Sequence, residues 1–164
     1  MKRWLRRVVG AVVLPMLGVS LFALATRDGD YRTDLPPPTG KETYAQVMPA
    51  SIGDEPMEIQ PLPLDADRFH GARARYGAGA SIEIVQARLP DHLDAYVAEH
   101  LRPRLQTYEA RASAKINGRW SLRGNGENGR LYGWQNQTWL FVIEAASDEL
   151  FDEAVDRFAY IRRE

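Results

Sequence analysis

The pattern of apolar and polar positions divides the chain into three parts. Val8 to Ala25 runs eighteen residues without a charge, apolar on every face of a helix. Thr26 to Leu64 keeps no period and is punctuated by Pro36-Pro37-Pro38, Pro49, Pro56, Pro61 and Pro63. From Asp65 onward the spacing switches between two and three-to-four, as strands and amphipathic helices require.

In that last part, Ala72, Ala74 and Tyr76 alternate with Arg73 and Arg75. The turn Gly77-Ala78-Gly79-Ala80 leads into a second strand with Ile82 and Ile84 inward, so the pair reads as a hairpin. Pro90 suits a first helical position, and Leu93, Tyr96, Val97, Leu101, Leu105 and Tyr108 supply an apolar stripe. Pro103 lies inside that helix and should kink it or end its regular part. Ala110, Ala112, Ala114 and Ile116 then alternate with Arg111, Ser113 and Lys115. Asn117-Gly118 is a strong hairpin turn, and Arg119 to Arg123 returns with Trp120 and Leu122 inward. Gly124 to Gly129 reads as a loop. Gly129 to Ala145 supplies two more strands, joined at Gln135-Asn136-Gln137, the second of them buried. Ser147 caps a final helix whose stripe runs from Leu150 to Ile161.

The predicted order is β-β-α-β-β-β-β-α, an α+β fold. A mostly antiparallel sheet with both helices packed on one face is the simplest architecture for it. The expected organisation is a basic cytoplasmic N-terminus at 1–7, an anchor at 8–25, a proline-rich extracytoplasmic linker at 26–64 and a folded domain at 65–164. Within 26–64, Glu42 to Met48 reads as a short helix or strand and Met57-Glu58-Ile59 as an edge strand.

At about 1.5 Å per residue the apolar segment would span about 27 Å, close to the bilayer core. Its run exceeds the roughly 7–15 residues of a signal-peptide core, which favours a single-pass anchor. Ala23-Leu24-Ala25 has the small-x-small form of a cleavage site, so release to the periplasm after Ala25 is the alternative. In both cases Lys2, Arg3, Arg6 and Arg7 hold the N-terminus in the cytoplasm and the rest of the chain crosses the membrane.

Charge changes the picture more than composition does. The formal net charge of −1 hides +4 over residues 1–25, 3 − 7 = −4 over 26–64 and 14 − 15 = −1 over the remainder. No cysteine is present, so disulfides, thiol chemistry and cysteine-ligated metals are excluded. If both helices cover one face, the open face carries Arg73, Arg75, Arg111, Lys115, Arg119 and Arg123. That face would dock an acidic protein, anionic lipid or an envelope polymer. Nucleic acid is not an expected partner across the membrane. Trp134, beside Gly133, is the aromatic candidate for an exposed contact.

Other motifs carry less. Gly124-x-Gly126-x-x-Gly129 matches the dinucleotide string, but a strand follows it where a helix must stand. Asn136-Gln137-Thr138 has the form of a glycosylation acceptor and reads as a turn. His92, Glu99 and His100 lie seven and eight residues apart, too far along a helix to share one zinc ion. No metal site, cofactor or catalytic residue is assigned. The expected function is a membrane-anchored, extracytoplasmic, non-enzymatic interaction or accessory domain. The alternative is an envelope domain binding a small ligand in a cavity between helices and sheet, which would leave Trp120 or Tyr96 accessible. A small hydrolase or metal enzyme using His92 or Glu99 is the third reading.

Overall fold

The computed structural model describes residues 31–127 and 129–164. The predicted anchor and its basic N-terminus lie outside the described residues. Among the described residues, no helix is long and apolar enough to cross a membrane. The chain forms β1 (Tyr31–Arg32), α1 (Tyr44–Val47), β2 (Ser51–Ile52), β3 (Glu55–Pro61), β4 (Phe69–Tyr76) and β5 (Ala80–Ala87). Next comes α2, built in succession from His92–Tyr96, Val97–Leu101 and Arg102–Leu105. Then follow β6 (Ala110–Ile116), β7 (Arg119–Gly126), β8 (Gly129–Asn136), β9 (Trp139–Ala145), α3 (Asp148–Arg157) and β10 (Arg162–Arg163).

The main sheet is antiparallel throughout, in the order β2-β3-β4-β5-β9-β8-β7-β6. An α+β fold on a mostly antiparallel sheet is what the alternation predicts. The placement of the helices differs: they lie on opposite faces. Ile82, Ile84, Trp134, Phe141 and Ile143 pack with Phe151, Val155 and Phe158 of the α3 side. Val85, Leu122, Leu131, Leu140 and Val142 pack with Leu93, Val97, Leu101 and Leu105 of α2. The reason is the composition of the central strands. β8 and β9 bury nearly every residue, so both their faces need cover, and two helices on one side would leave the other wet.

The proline-rich stretch is also corrected. Tyr31–Glu164 is one unit, so residues 31–64 belong to the fold and are not a free linker. Thr43 N–H donates to Gln46 Oε1 at 2.8 Å to start α1. β3 pairs with β4 from Met57↔Tyr76 to Pro61↔Ala72. The Asn136 side-chain amide donates to Leu35 O at 2.6 Å, pinning the segment after β1. That bond occupies the asparagine of the apparent glycosylation motif, which is buried.

α2 continues through Pro103. The turn before it widens, and Arg102 N–H bonds back five residues to Val97 O. The last helix is shorter than its apolar stripe: it ends at Arg157, and Arg162–Arg163 leaves it to pair with Tyr31–Arg32. Ile161 is buried all the same.

Candidate functional site

The opposite placement of the helices splits the predicted basic face. β4 and β6 put Arg73, Arg75, Arg111 and Lys115 on the α2 side, because cross-strand partners share a face and Lys115 stands opposite Trp120. Arg119 and Arg123 alternate with Trp120 and Leu122, so they fall on the α3 side. One continuous basic face therefore does not exist. What remains is two groups, one at β4 and one at the β6–β7 corner.

The β4 group leads to a buried ionic network. Glu83 on β5 is 1% exposed and stands directly across from Arg73. Arg73 donates to Glu83 Oε2 through Nε at 2.9 Å and through Nη2. Arg104, from the last turn of α2, donates to the same oxygen at 3.0 Å and to Glu144 Oε2 at 2.6 Å. The Tyr96 hydroxyl donates to Glu83 Oε1, and Tyr108 to Glu144 Oε1, each at 2.6 Å. Burial alone would raise the Glu83 pKa. The charges of Arg104 and Arg73 and the hydrogen bond from Tyr96 outweigh it and hold the carboxyl below its ordinary value. Burial, with the adjoining glutamates, pushes the Tyr96 and Tyr108 hydroxyls well above the usual tyrosine range.

Both oxygens of Glu83 and both of Glu144 are thus committed to side chains that tie α2 to the sheet. The network is a clamp: Glu83 is enclosed in it, while the Glu144 side chain keeps 34% exposure. A signal for it existed in the sequence: Glu83 is the one charge in Ile82-Glu83-Ile84-Val85, a run otherwise buried on both faces. Beyond the network a cleft of about 360 Å³ opens, where Arg73, Arg75, Ser81 and Glu144 meet the Gly77–Gly79 turn.

The corner group is different. Lys115 pairs with Asp94 at 2.8 Å, and the Trp120 indole N–H donates to the same carboxylate at 2.7 Å. Arg111 donates to Tyr108 O at 2.9 Å, near the C-terminal end of α2. Arg123 lies over the Tyr132 ring, 5.4 Å from its centroid. Arg119 is exposed and forms no ion pair among the described residues. From Ala110 to Arg123 the chain carries Arg111, Lys115, Arg119 and Arg123 and no acid.

The remaining candidates are accounted for by packing. Trp134 is not an exposed contact: it is 2% exposed, stacked on Phe141 at 5.2 Å and Tyr132 at 5.6 Å. Trp120 and Tyr96, which a cavity would leave accessible, are buried. His100 packs on Tyr96 and His92 on Phe69, and among the described residues no three His, Asp or Glu side chains converge as metal ligands.

The glycine string is a hairpin, with Gly126 paired to Gly129. A Cβ on Gly124 would stand 2.7 Å from Tyr108 Cγ. Gly124→Ala should therefore push Tyr108 away from Glu144 and cost about 1–3 kcal/mol. A thermal melt of the full chain in detergent checks this, and an unchanged midpoint would show that the ring has room to move.

No protein-family model matches the chain, and no curated protein matches its sequence. Among solved structures, a GTP-binding regulator from Thermotoga maritima superposes with a TM-score of 0.44 and 10% identity, over 64% of this chain and 78% of that one. A likeness of that degree carries no statement about what this chain does.

Proposed function

We propose that the folded unit is the extracytoplasmic interaction module of a single-pass membrane protein, and that it docks an acidic protein at the β6–β7 corner. The observation that carries this reading is the acid-free stretch Ala110–Arg123, whose four basic side chains straddle the sheet's last strand pair. Asp94 of α2 takes up Lys115, but exposed Arg119 keeps positive charge close to the edge, and such charge steers and orients a partner of the opposite sign. The enclosure of Glu83 by Arg73, Arg104 and Tyr96 supports a structural use of that buried charge. The membrane part of the proposal rests on the basic start and apolar run of residues 1–25.

In-cell crosslinking of the tagged full-length protein tests it. We expect crosslinks to map to residues 110–123 and to an Asp- or Glu-rich segment of the captured protein. Arg119→Glu should reduce that capture several-fold, since a rim charge becomes a like charge, on the order of 1 kcal/mol or more. Arg75→Glu, exposed on β4 across the sheet, serves as the control and should leave capture intact. Equal capture by the Arg119 variant, or crosslinks centred elsewhere, would remove the corner as the docking site. Mass spectrometry of the bait's N-terminus also decides between an anchor and cleavage after Ala25.

A further inference from the structure

We infer that the acidic partner docks by adding a strand to the free edge of β6, a mode that rests on the docking reading above. Asn117-Gly118 is a two-residue turn, with φ of 50° and 78°, so Ile116 and Arg119 exchange both backbone hydrogen bonds. Bonded pairs then alternate down the ladder: Ala114 with Ser121, Ala112 with Arg123, Ala110 with Asn125. The N–H and C=O groups of Arg111, Ser113 and Lys115 therefore point outward, away from β7. No backbone–backbone bond outside the β7 pairing reaches β6 among the described residues. Among the described residues β6 is thus a seven-residue template with its outer row open.

Comparison with the opposite edge shows what a guarded edge looks like in this molecule. β3 carries Pro56 and Pro61, and β2 covers its first residues. β6 has no proline and, among the described residues, no cover. The charges that commonly shield an edge are engaged along the α2 face: Lys115 meets Asp94 of α2, and Arg111 the carbonyl of Tyr108. On the other face α3 packs over β9, β8 and β5, leaving Ala112, Ala114 and the 61% exposed Ile116 beside Arg119 and Arg123.

The occupant's chemistry follows from register. Arg111 meets the Gln106 and Tyr108 carbonyls through Nη1 alone, and Lys115 keeps one N–H donor beyond the two that meet Asp94. Residues opposite them, which share one face, should therefore be acidic, while those opposite Ala112 and Ala114 share the other and should be apolar. The segment recognised is an extended acid–apolar–polar–apolar–acid run on a partner protein. A second copy of this chain is disfavoured, because antiparallel pairing of two β6 strands centred on Ser113 would set Arg111 against Lys115 of the other copy.

The test uses the full chain in detergent micelles and a fluorescein-labelled peptide, Ser-Glu-Val-Thr-Val-Glu-Ser, with a lysine-for-glutamate version as control. Anisotropy should report binding of the acidic peptide alone. Hydrogen exchange on the wild-type chain should show the amides of Arg111, Ser113 and Lys115 slowing when it binds. Ser113→Pro removes one outward N–H without touching the β7 ladder and should weaken binding roughly tenfold, the worth of about one hydrogen bond. Binding with no slowing of those amides, but still lost in Arg119→Glu, would overturn strand addition and leave charge docking standing. Peptide binding unaffected by either change would overturn both. Absence of peptide binding at millimolar concentration, with Ser113-dependent dimers or uptake onto phosphatidylserine vesicles instead, would assign the edge to a second copy or to lipid and overturn the inference.

Discussion

Glu83→Gln should destabilise the folded unit by about 3–5 kcal/mol, the usual cost of removing one partner from a buried, hydrogen-bonded ion cluster. For a unit of this size that corresponds to a fall in Tm of roughly 10 °C or more. The geometry explains the size. Glutamine keeps the shape of the side chain but loses the charge that faces Arg73 and Arg104, both of which converge on Oε2. One of its two terminal atoms becomes an NH2 donor, set against either the Tyr96 hydroxyl or two guanidinium groups. The Arg73 guanidinium would remain partly buried beside a group that cannot compensate its charge. Arg104 keeps Glu144, so the loss concentrates on Arg73 and Tyr96.

The pH dependence has a defined sign. The Glu83 carboxyl lies below its ordinary value of 4.5 in the folded chain, so it contributes stability that is fully present above that value and is lost as pH falls through its folded pKa. Wild type should therefore lose stability progressively below about pH 4.5, and the gap between wild type and Glu83→Gln should close in the same window. Denaturant melts of the full chain in detergent, at pH 7 and at steps below 4.5, measure both. A loss under 1 kcal/mol at pH 7, or a gap independent of pH, would show that the clamp does not hold the helix as argued.

Much of the fold was readable because local rules decided it. The Asn117-Gly118 turn, the β4–β5 hairpin and the Ser147 cap, which accepts from Leu150 N–H at 3.3 Å, each rest on residues adjacent in sequence. The side of the sheet on which each helix lies was not local. Alternation in β6 and β7 places apolar residues on one side of each strand, but it does not say that the two sides differ. Cross-strand pairing does: Ala112 stands opposite Arg123, not beside Trp120. One misjudged face was enough to merge two groups of arginines into a single predicted surface. Proline misled in a related way. Pro36-Pro37-Pro38 reads as solvated chain, yet Pro38 is buried and Leu35 accepts a bond from Asn136, a partner about a hundred residues away. The clamp was hidden for the same reason, since Glu83, Arg104 and Glu144 meet only once α2 has crossed the sheet.

Trp134→Ala should cost about 3–5 kcal/mol, as truncation of a large core aromatic does. Its neighbour explains why the sequence suggested exposure. Gly133 leaves a gap, but on the opposite face, where a Cβ would stand 2.9 Å from Leu122 Cδ1. Leu122 fills that side, and Trp134 is left wholly within the α3 layer. There it stacks on Phe141 and Tyr132 and meets Phe158 edge-on at 6.1 Å, so it joins two central strands to the end of the last helix. Its indole N–H has no hydrogen-bond partner among the described residues. The ring is therefore held by area and stacking rather than by its polar atom. Trp134→Phe, which keeps the stack and removes the unpaired donor, should cost only about 1–2 kcal/mol, mostly for the volume lost. Denaturant unfolding of both variants separates the two contributions. If phenylalanine proved as costly as alanine, the indole N–H would have to be making a bond that matters. If alanine proved nearly neutral, the α3 layer would not depend on this ring, and an exposed role for Trp134 would return.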